Sequence, residues 1–320
     1  MATMKGLTDV PGIRVGHASD FEALTGCTVI LCGPGAIGGV DVRGSATGSC
    51  ELETLNPGHV AANVDAIVLA GGSAFGLEAS SGTRRILERQ KIGFATAVAI
   101  VPIVPGAILF DLGIGRADVR PTREMGEKAT LAATDAAVEE GNVGAGTGAT
   151  VGKIFGMRQA MKSGIGSASL TLGNGVIIAA LVAVNAYGDV LDPSTGKVLA
   201  GARVSPTSRD FVDSAAALRH GIPETIPFRG NTTLAVVATN AALNKVQANK
   251  LAALASLGVA RTISPVNTMA DGDITFAISQ GKEKASIDAL GVAAAEVLAQ
   301  AVLRAVRAAK TSGGVPGLAS

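Results

Sequence analysis

The strongest constraint on the fold is an uninterrupted apolar run, Val176-Ile-Ile-Ala-Ala-Leu-Val-Ala-Val184, that ends on the amide residue Asn185. Continuous apolar character bounded by turn residues marks a fully buried strand. Gly173-Asn174-Gly175 just before it is a strong hairpin signal and pairs the run with a strand over 164–171. Cys27–Cys32, closed by Gly33-Pro34-Gly35, and Ala66–Ala70 read as further buried strands. A polar strand and loop over 38–48 and apolar strands over 232–240 and 274–279 complete the set. Helices are expected over 76–89, 127–140, 241–257 and 286–309, and Pro102 and Pro105 make 95–112 loop and strand. Residues 189–226 read as a polar connection rich in Asp, Pro, Ser, Thr and Gly. Hydrophobic residues are 48% of the chain, charged residues 17%, and Gly numbers 42, which suits closely packed layers of sheet and helix. The order of elements predicts an α/β fold, a layered αββα sandwich in one domain over 1–320.

Several function classes are disfavoured. The net charge is +1 and no basic run exists, which argues against a nucleic-acid or membrane-surface partner. No apolar stretch reads as long enough to span a membrane, and no charged n-region with an apolar h-region opens the chain, so no signal peptide is expected. Cys27, Cys32 and Cys50 lack metal-pair spacing and read as thiols of a reducing cytoplasm; His17, His59 and His220 are scattered. Two nucleotide-like motifs fail. In Gly71-Gly72-Ser73-Ala74-Phe75-Gly76, Ser73 stands where a dinucleotide fingerprint needs its second glycine, and Phe75 where a nucleophile elbow needs its last. In the Gly-rich stretch 141–153, Thr147 and Ile154 replace the first glycine and the hydroxyl of a phosphate loop, which leaves Lys153 as a lone cation at its end.

The chemistry concentrates at Phe228-Arg229-Gly230-Asn231-Thr232-Thr233, a small-residue turn that runs into the apolar strand ending at Asn240. Two threonines there suit a strand entrance. A cut between Asn231 and Thr232 would also give Thr232 both a hydroxyl and a free α-amine, and an amine of pKa ~7.7–8.0 can take the hydroxyl proton near neutrality. Asp271 and Asp273 flank Gly272 ahead of an apolar strand; extended, residues two apart share a face, so both carboxylates could address one site. Asn185 at a buried strand end could donate to an oxyanion.

Together these residues resemble a known family. Gly230-Asn231-Thr232-Thr233 with its strand, Asp271-Gly272-Asp273, and the stretches Val10–His17, Asp41–Gly44 and Ala70–Ala79 are similar to the nylon-oligomer (6-aminohexanoate oligomer) endo-hydrolases of the self-cleaving DmpA-type aminopeptidase family. The resemblance implies an αββα precursor that cuts itself into an α chain (1–231) and a β chain (232–320), and processed pairs that assemble, often four together. It implies Thr232 as nucleophile, Asn231 before the cut, Asn185 as oxyanion donor beside Lys153, and Asp271 and Asp273 orienting Lys153 and the Thr232 amine or hydroxyl. Phe110 aligns with a Tyr of the nylon hydrolases that lines the substrate. Ser73 and Asp41 take structural roles. No metal or organic cofactor is expected. The substrate class implied is a small amide or oligoamide; the aminopeptidase activities of the family and acyl transfer of the ornithine acetyltransferase type remain alternatives.

Overall fold

The computed structural model describes residues 5–173, 175–221 and 230–320. Its principal strands are, in chain order, β1 (Arg14–Asp20), β2 (Thr25–Leu31), β3 (Ile37–Val42), β4 (Ser49–Cys50), β5 (Ala66–Ala70), β6 (Gly106–Ile108), β7 (Ile165–Thr171), β8 (Ile177–Asn185), β9 (Thr232–Ala241) and β10 (Ile274–Glu283). The principal helices are α1 (Glu78–Arg89), α2 (Arg123–Leu131), α3 (Lys245–Thr262) and α4 (Ile287–Arg307). One sheet has the order β1-β2-β5-β6-β4 and the other β7-β8-β9-β10-β3. Each holds a single parallel pair, β5 with β6 and β9 with β10. Parallel neighbours need a crossover, and α1 and α3 lie on those two connections.

The period-two pattern of the strands builds the layers. Ala179, Leu181 and Ala183 of β8, with Leu234 and Val236 of β9, face Ile30, Ile67 and Leu69 of the other sheet. The alternate residues Ala180, Val182 and Val184, with Ala235 and Val237, meet Leu251, Val297 and Val302 of α3 and α4. Val29, Leu31 and Val68 meet Ala79 and Leu87 of α1 and Ala129 of α2. The result is the expected α/β/β/α sandwich. Small residues let helix backbones approach the sheets: a Cβ on Gly16 would meet Ala129 O at 2.0 Å, and one on Gly166 would meet Ala301 O at 2.1 Å.

Three expectations need correction. The helix expected over 127–140 is the shorter α2, N-capped by the Thr122 side chain. It stops because Thr134 exchanges backbone hydrogen bonds with Val15, at 2.9 and 3.1 Å, and that pairing overrides the helix propensity of the alanines. The connection 189–226 is more ordered than its composition suggests. It contains strands Asp189–Leu191 and Val198–Ala200 and the helix Ser214–Arg219, tied together where buried Asp189 accepts from Ala202 N (2.8 Å), Ser214 N (2.8 Å) and Ser214 Oγ (2.7 Å). Residues 222–229, with Phe228 and Arg229, and the hairpin residue Asn174 lie outside the described residues. Finally, α4 is long and apolar enough to cross a membrane by length and composition, although 67% of its apolar window is buried inside the protein.

Candidate active site

The site forms where β8 ends and β9 begins. These strands are antiparallel, and their register makes Asn185 the cross-strand partner of Thr232. Directly opposed residues share a face, so the amide and the hydroxyl residue lie side by side. On the other flank of β9, Asn231 bridges in parallel to Asp271, and the Gly272 N–H donates to the Asn231 carbonyl at 2.8 Å. Lys153 arrives from the Gly-rich segment, anchored by its N–H on Tyr187 O at 2.9 Å. Thr232, Asn231, Asn185, Lys153, Asp271 and Asp273 are all buried, none more than 5% exposed.

Hydrogen bonds fix each group. Thr232 Oγ1 donates to Asn231 O at 2.5 Å. Lys153 Nζ donates to Asn185 Oδ1 (2.8 Å), Asn185 O (2.9 Å) and Gly230 O (3.4 Å). Asn185 Nδ2 donates to Phe110 O (2.9 Å) and to Gly230 O (3.4 Å). Two side-chain donors therefore converge on the Gly230 carbonyl. Phe110 contributes its ring as well, packed so closely that a Cβ on Gly230 would meet it at 2.5 Å.

Most of the hydrogen bonds that the two aspartates accept come from backbone N–H groups. Asp271 accepts from Tyr187 N (3.2 Å), Thr268 N (3.1 Å) and Thr268 Oγ1 (2.6 Å); Asp273 accepts from Thr233 N (2.6 Å) and Asn267 N (3.1 Å). They secure the backbone around the Asn231–Thr232 peptide and act on Lys153 through charge. Burial pulls the Lys153 ammonium down to about 7, against the opposing pull of Asp271. Burial, and then the Asp271 charge, push the Asp273 carboxyl up to about 7.

These shifts make stability depend on pH with opposite signs. Between about 7 and 10.5 the unfolded chain binds the Lys153 proton more tightly, so its contribution to stability rises with pH; between 3.8 and about 7 the folded chain holds the Asp273 proton more tightly, so its contribution falls. Lys153→Met should therefore be most favourable relative to wild type at pH 6 and lose that advantage as pH climbs toward 10. Denaturation midpoints across that range read the trend, and a difference flat in pH would contradict the depressed value.

Ser73 and Asp41 stand apart from this cluster. Ser73 takes a left-handed φ of +55° and donates its N–H to Leu109 O, and Asp41 pairs with Arg43 at 2.6 Å. Three groups escaped the sequence: the Gly272 N–H, and the buried charges Lys162 and Asp111. Asp111 had left a signal, a lone carboxylate inside the apolar run 107–112.

Comparison with known proteins identifies the family and the fold. The model of peptidase family S58 matches residues 5–319. An uncharacterized aminopeptidase of Mycobacterium leprae is 40% identical over 98% of this chain and 93% of its own. A 6-aminohexanoate-oligomer endohydrolase of Kocuria sp. is 32% identical over 93% of this chain and 85% of its own. Identity is thus higher to the mycobacterial chain than to the endohydrolase. The solved structure of the L-aminopeptidase D-Ala-esterase/amidase from Ochrobactrum anthropi, described as a variant of the Ntn hydrolase fold, superposes with a TM-score of 0.74. It covers 99% of this chain and 90% of its own at 21% identity. A family model matched from residue 5 to residue 319, with relatives 40% and 32% identical over nearly the whole chain, places the protein in peptidase family S58, among hydrolases that act on amides.

Proposed function

We propose that this chain is an N-terminal-nucleophile amidohydrolase that cuts itself between Asn231 and Thr232 and then hydrolyses amides through an acyl-Thr232 intermediate. The observation that carries the reading is the setting of one peptide carbonyl: Asn231 O lies between Thr232 Oγ1 and the Gly272 N–H. In maturation, Thr232 Oγ1 attacks the Asn231 carbonyl carbon and the oxygen takes up negative charge against the Gly272 N–H. The C–N bond breaks, its nitrogen leaves protonated as the Thr232 α-amine, and Asn231 is left as an ester on Oγ1. Water cleaves the ester to an Asn231 carboxylate and a free hydroxyl. In the uncut chain the Gly230 carbonyl occupies the point on which Asn185 Nδ2 and Lys153 Nζ converge. Departure of residues 230–231 would free both donors for a substrate carbonyl, and the new α-amine would accept the hydroxyl proton.

Oligomers of 6-aminohexanoate and related ω-amino-acid or peptide amides are the substrates that fit the endohydrolase relatives. The higher identity to a chain named an aminopeptidase supports a second reading, release of N-terminal residues from short peptides. Intact mass and N-terminal sequencing of the purified protein test the mechanism before any substrate is known. Two fragments are expected, the smaller beginning at Thr232. A single uncut chain that hydrolyses amides would overturn it and direct attention to Ser73.

A further inference from the structure

The buried Asn185 amide can point only one way. Phe110 O can only accept and takes Nδ2, whereas the Thr150 N–H can only donate and gives to Oδ1 at 3.0 Å. Each of these backbone partners is backed by a buried charge that the reaction does not use. The Thr150 N–H belongs to the same peptide group as Ala149 O, which accepts from Lys162 Nζ at 2.7 Å. Lys162 is fully buried and also donates to Thr147 O (3.0 Å) and Ser163 O (3.4 Å). An ammonium on a carbonyl polarises the peptide and strengthens its N–H as a donor.

On the other side, Asp111 directly follows Phe110. Its carboxylate accepts from Gly72 N (2.7 Å) and Thr25 Oγ1 (2.7 Å), fixing the peptide whose carbonyl holds Asn185 Nδ2. The two supports also touch through Gly148, where a Cβ would meet the Asp111 Cβ at 2.6 Å. The segment that Lys162 grips therefore leans on Asp111. A reversed Asn185 amide would set two acceptors against each other at Phe110 O, and two donors at the Thr150 N–H.

We infer that Lys162 and Asp111 are a pair of positioning residues that lock the Asn185 amide with Nδ2 toward the place of the substrate carbonyl. This rests on Asn185 being an oxyanion donor in the processed enzyme. The test is steady-state hydrolysis by processed wild type, Asn185→Ala, Lys162→Met and the double variant, with a linear 6-aminohexanoate oligomer and an amino-acid p-nitroanilide as probes. Asn185→Ala should lower kcat on the order of 10²- to 10³-fold. Lys162→Met should lower kcat about 30-fold with KM within about twofold, and should slow the Asn185→Ala enzyme by less than about threefold, because both changes remove one function. Should Lys162→Met not accumulate, Thr25→Val removes one donor from Asp111; it should cost about fivefold in kcat, and that loss should vanish in the Asn185→Ala background.

The failures are distinguishable. A wild type that cleaves neither probe overturns the hydrolase reading and this inference with it. Asn185→Ala at the wild-type rate removes the amide's role and hence the pair's. A slow Asn185→Ala enzyme that Lys162→Met or Thr25→Val slows by its full factor again overturns the positioning role alone.

Discussion

Thr232→Ala should remain a single uncut polypeptide with no amide hydrolysis, while Thr232→Ser should still cut itself. Alanine removes the hydroxyl that, among the described residues, donates to the Asn231 carbonyl, and with it the atom that would carry the acyl group. Loss of a nucleophile of this kind costs on the order of 10⁶ in kcat, and here it would also stop the step that creates the α-amine. Serine keeps the oxygen and deletes one buried methyl group. That deletion should cost about 1 kcal/mol of packing and leave processing within about tenfold of wild type. Denaturing gels over a time course and mass spectrometry separate the cases. Full-length Thr232→Ala with wild-type hydrolysis would refute the mechanism. A processed Thr232→Ala would show that another group cuts the chain.

The two strands that build the site could be read in the sequence, whereas the pairing of Asn185 with Thr232 across them came only with the fold. The apolar run ending at Asn185 and the one starting at Thr232 both alternate between two apolar surroundings, and a buried hydroxyl at the head of such a strand is legible without coordinates. The Gly-rich approach to Lys153 was equally visible, since a single cation ends it. What could not be read was which neighbours each charge would meet. Lys162 looks like any solvated lysine until the fold closes three carbonyls around it. Asp189 sits in a stretch whose polar composition suggests a surface loop, yet its carboxylate is the knot that orders that stretch. The partners of Asp271 and Asp273 were hidden for the same reason. Spacing put both near one site, but only the tertiary structure shows their oxygens committed mainly to backbone N–H groups.

Gly272→Ala should slow self-cleavage on the order of 10²- to 10³-fold while leaving most of the site's supports in place. The Gly272 N–H is the backbone donor on the Asn231 carbonyl, and loss of one oxyanion donor costs about 2.7–4 kcal/mol in comparable acyl-transfer sites. Alanine cannot keep that geometry. Its Cβ would stand 2.6 Å from Ala46 O and 2.8 Å from Thr232 Oγ1. Ala46 cannot simply withdraw, because its own N–H is bonded to Asp271 O at 2.8 Å. The turn carrying Gly272 must therefore move off the Asn231 carbonyl, or the threonine hydroxyl must rotate away from it; either change removes a contact that the cut requires. Gly173→Ala is the matched control, since a Cβ there meets nothing within 4 Å among the described residues, and it should process at the wild-type rate. The rate at which the full-length band disappears reads both variants. If Gly272→Ala cut itself as fast as the control, the negative charge of the intermediate would have to be met elsewhere. Asn185 Nδ2, now 3.4 Å from the preceding carbonyl, would be the group to examine.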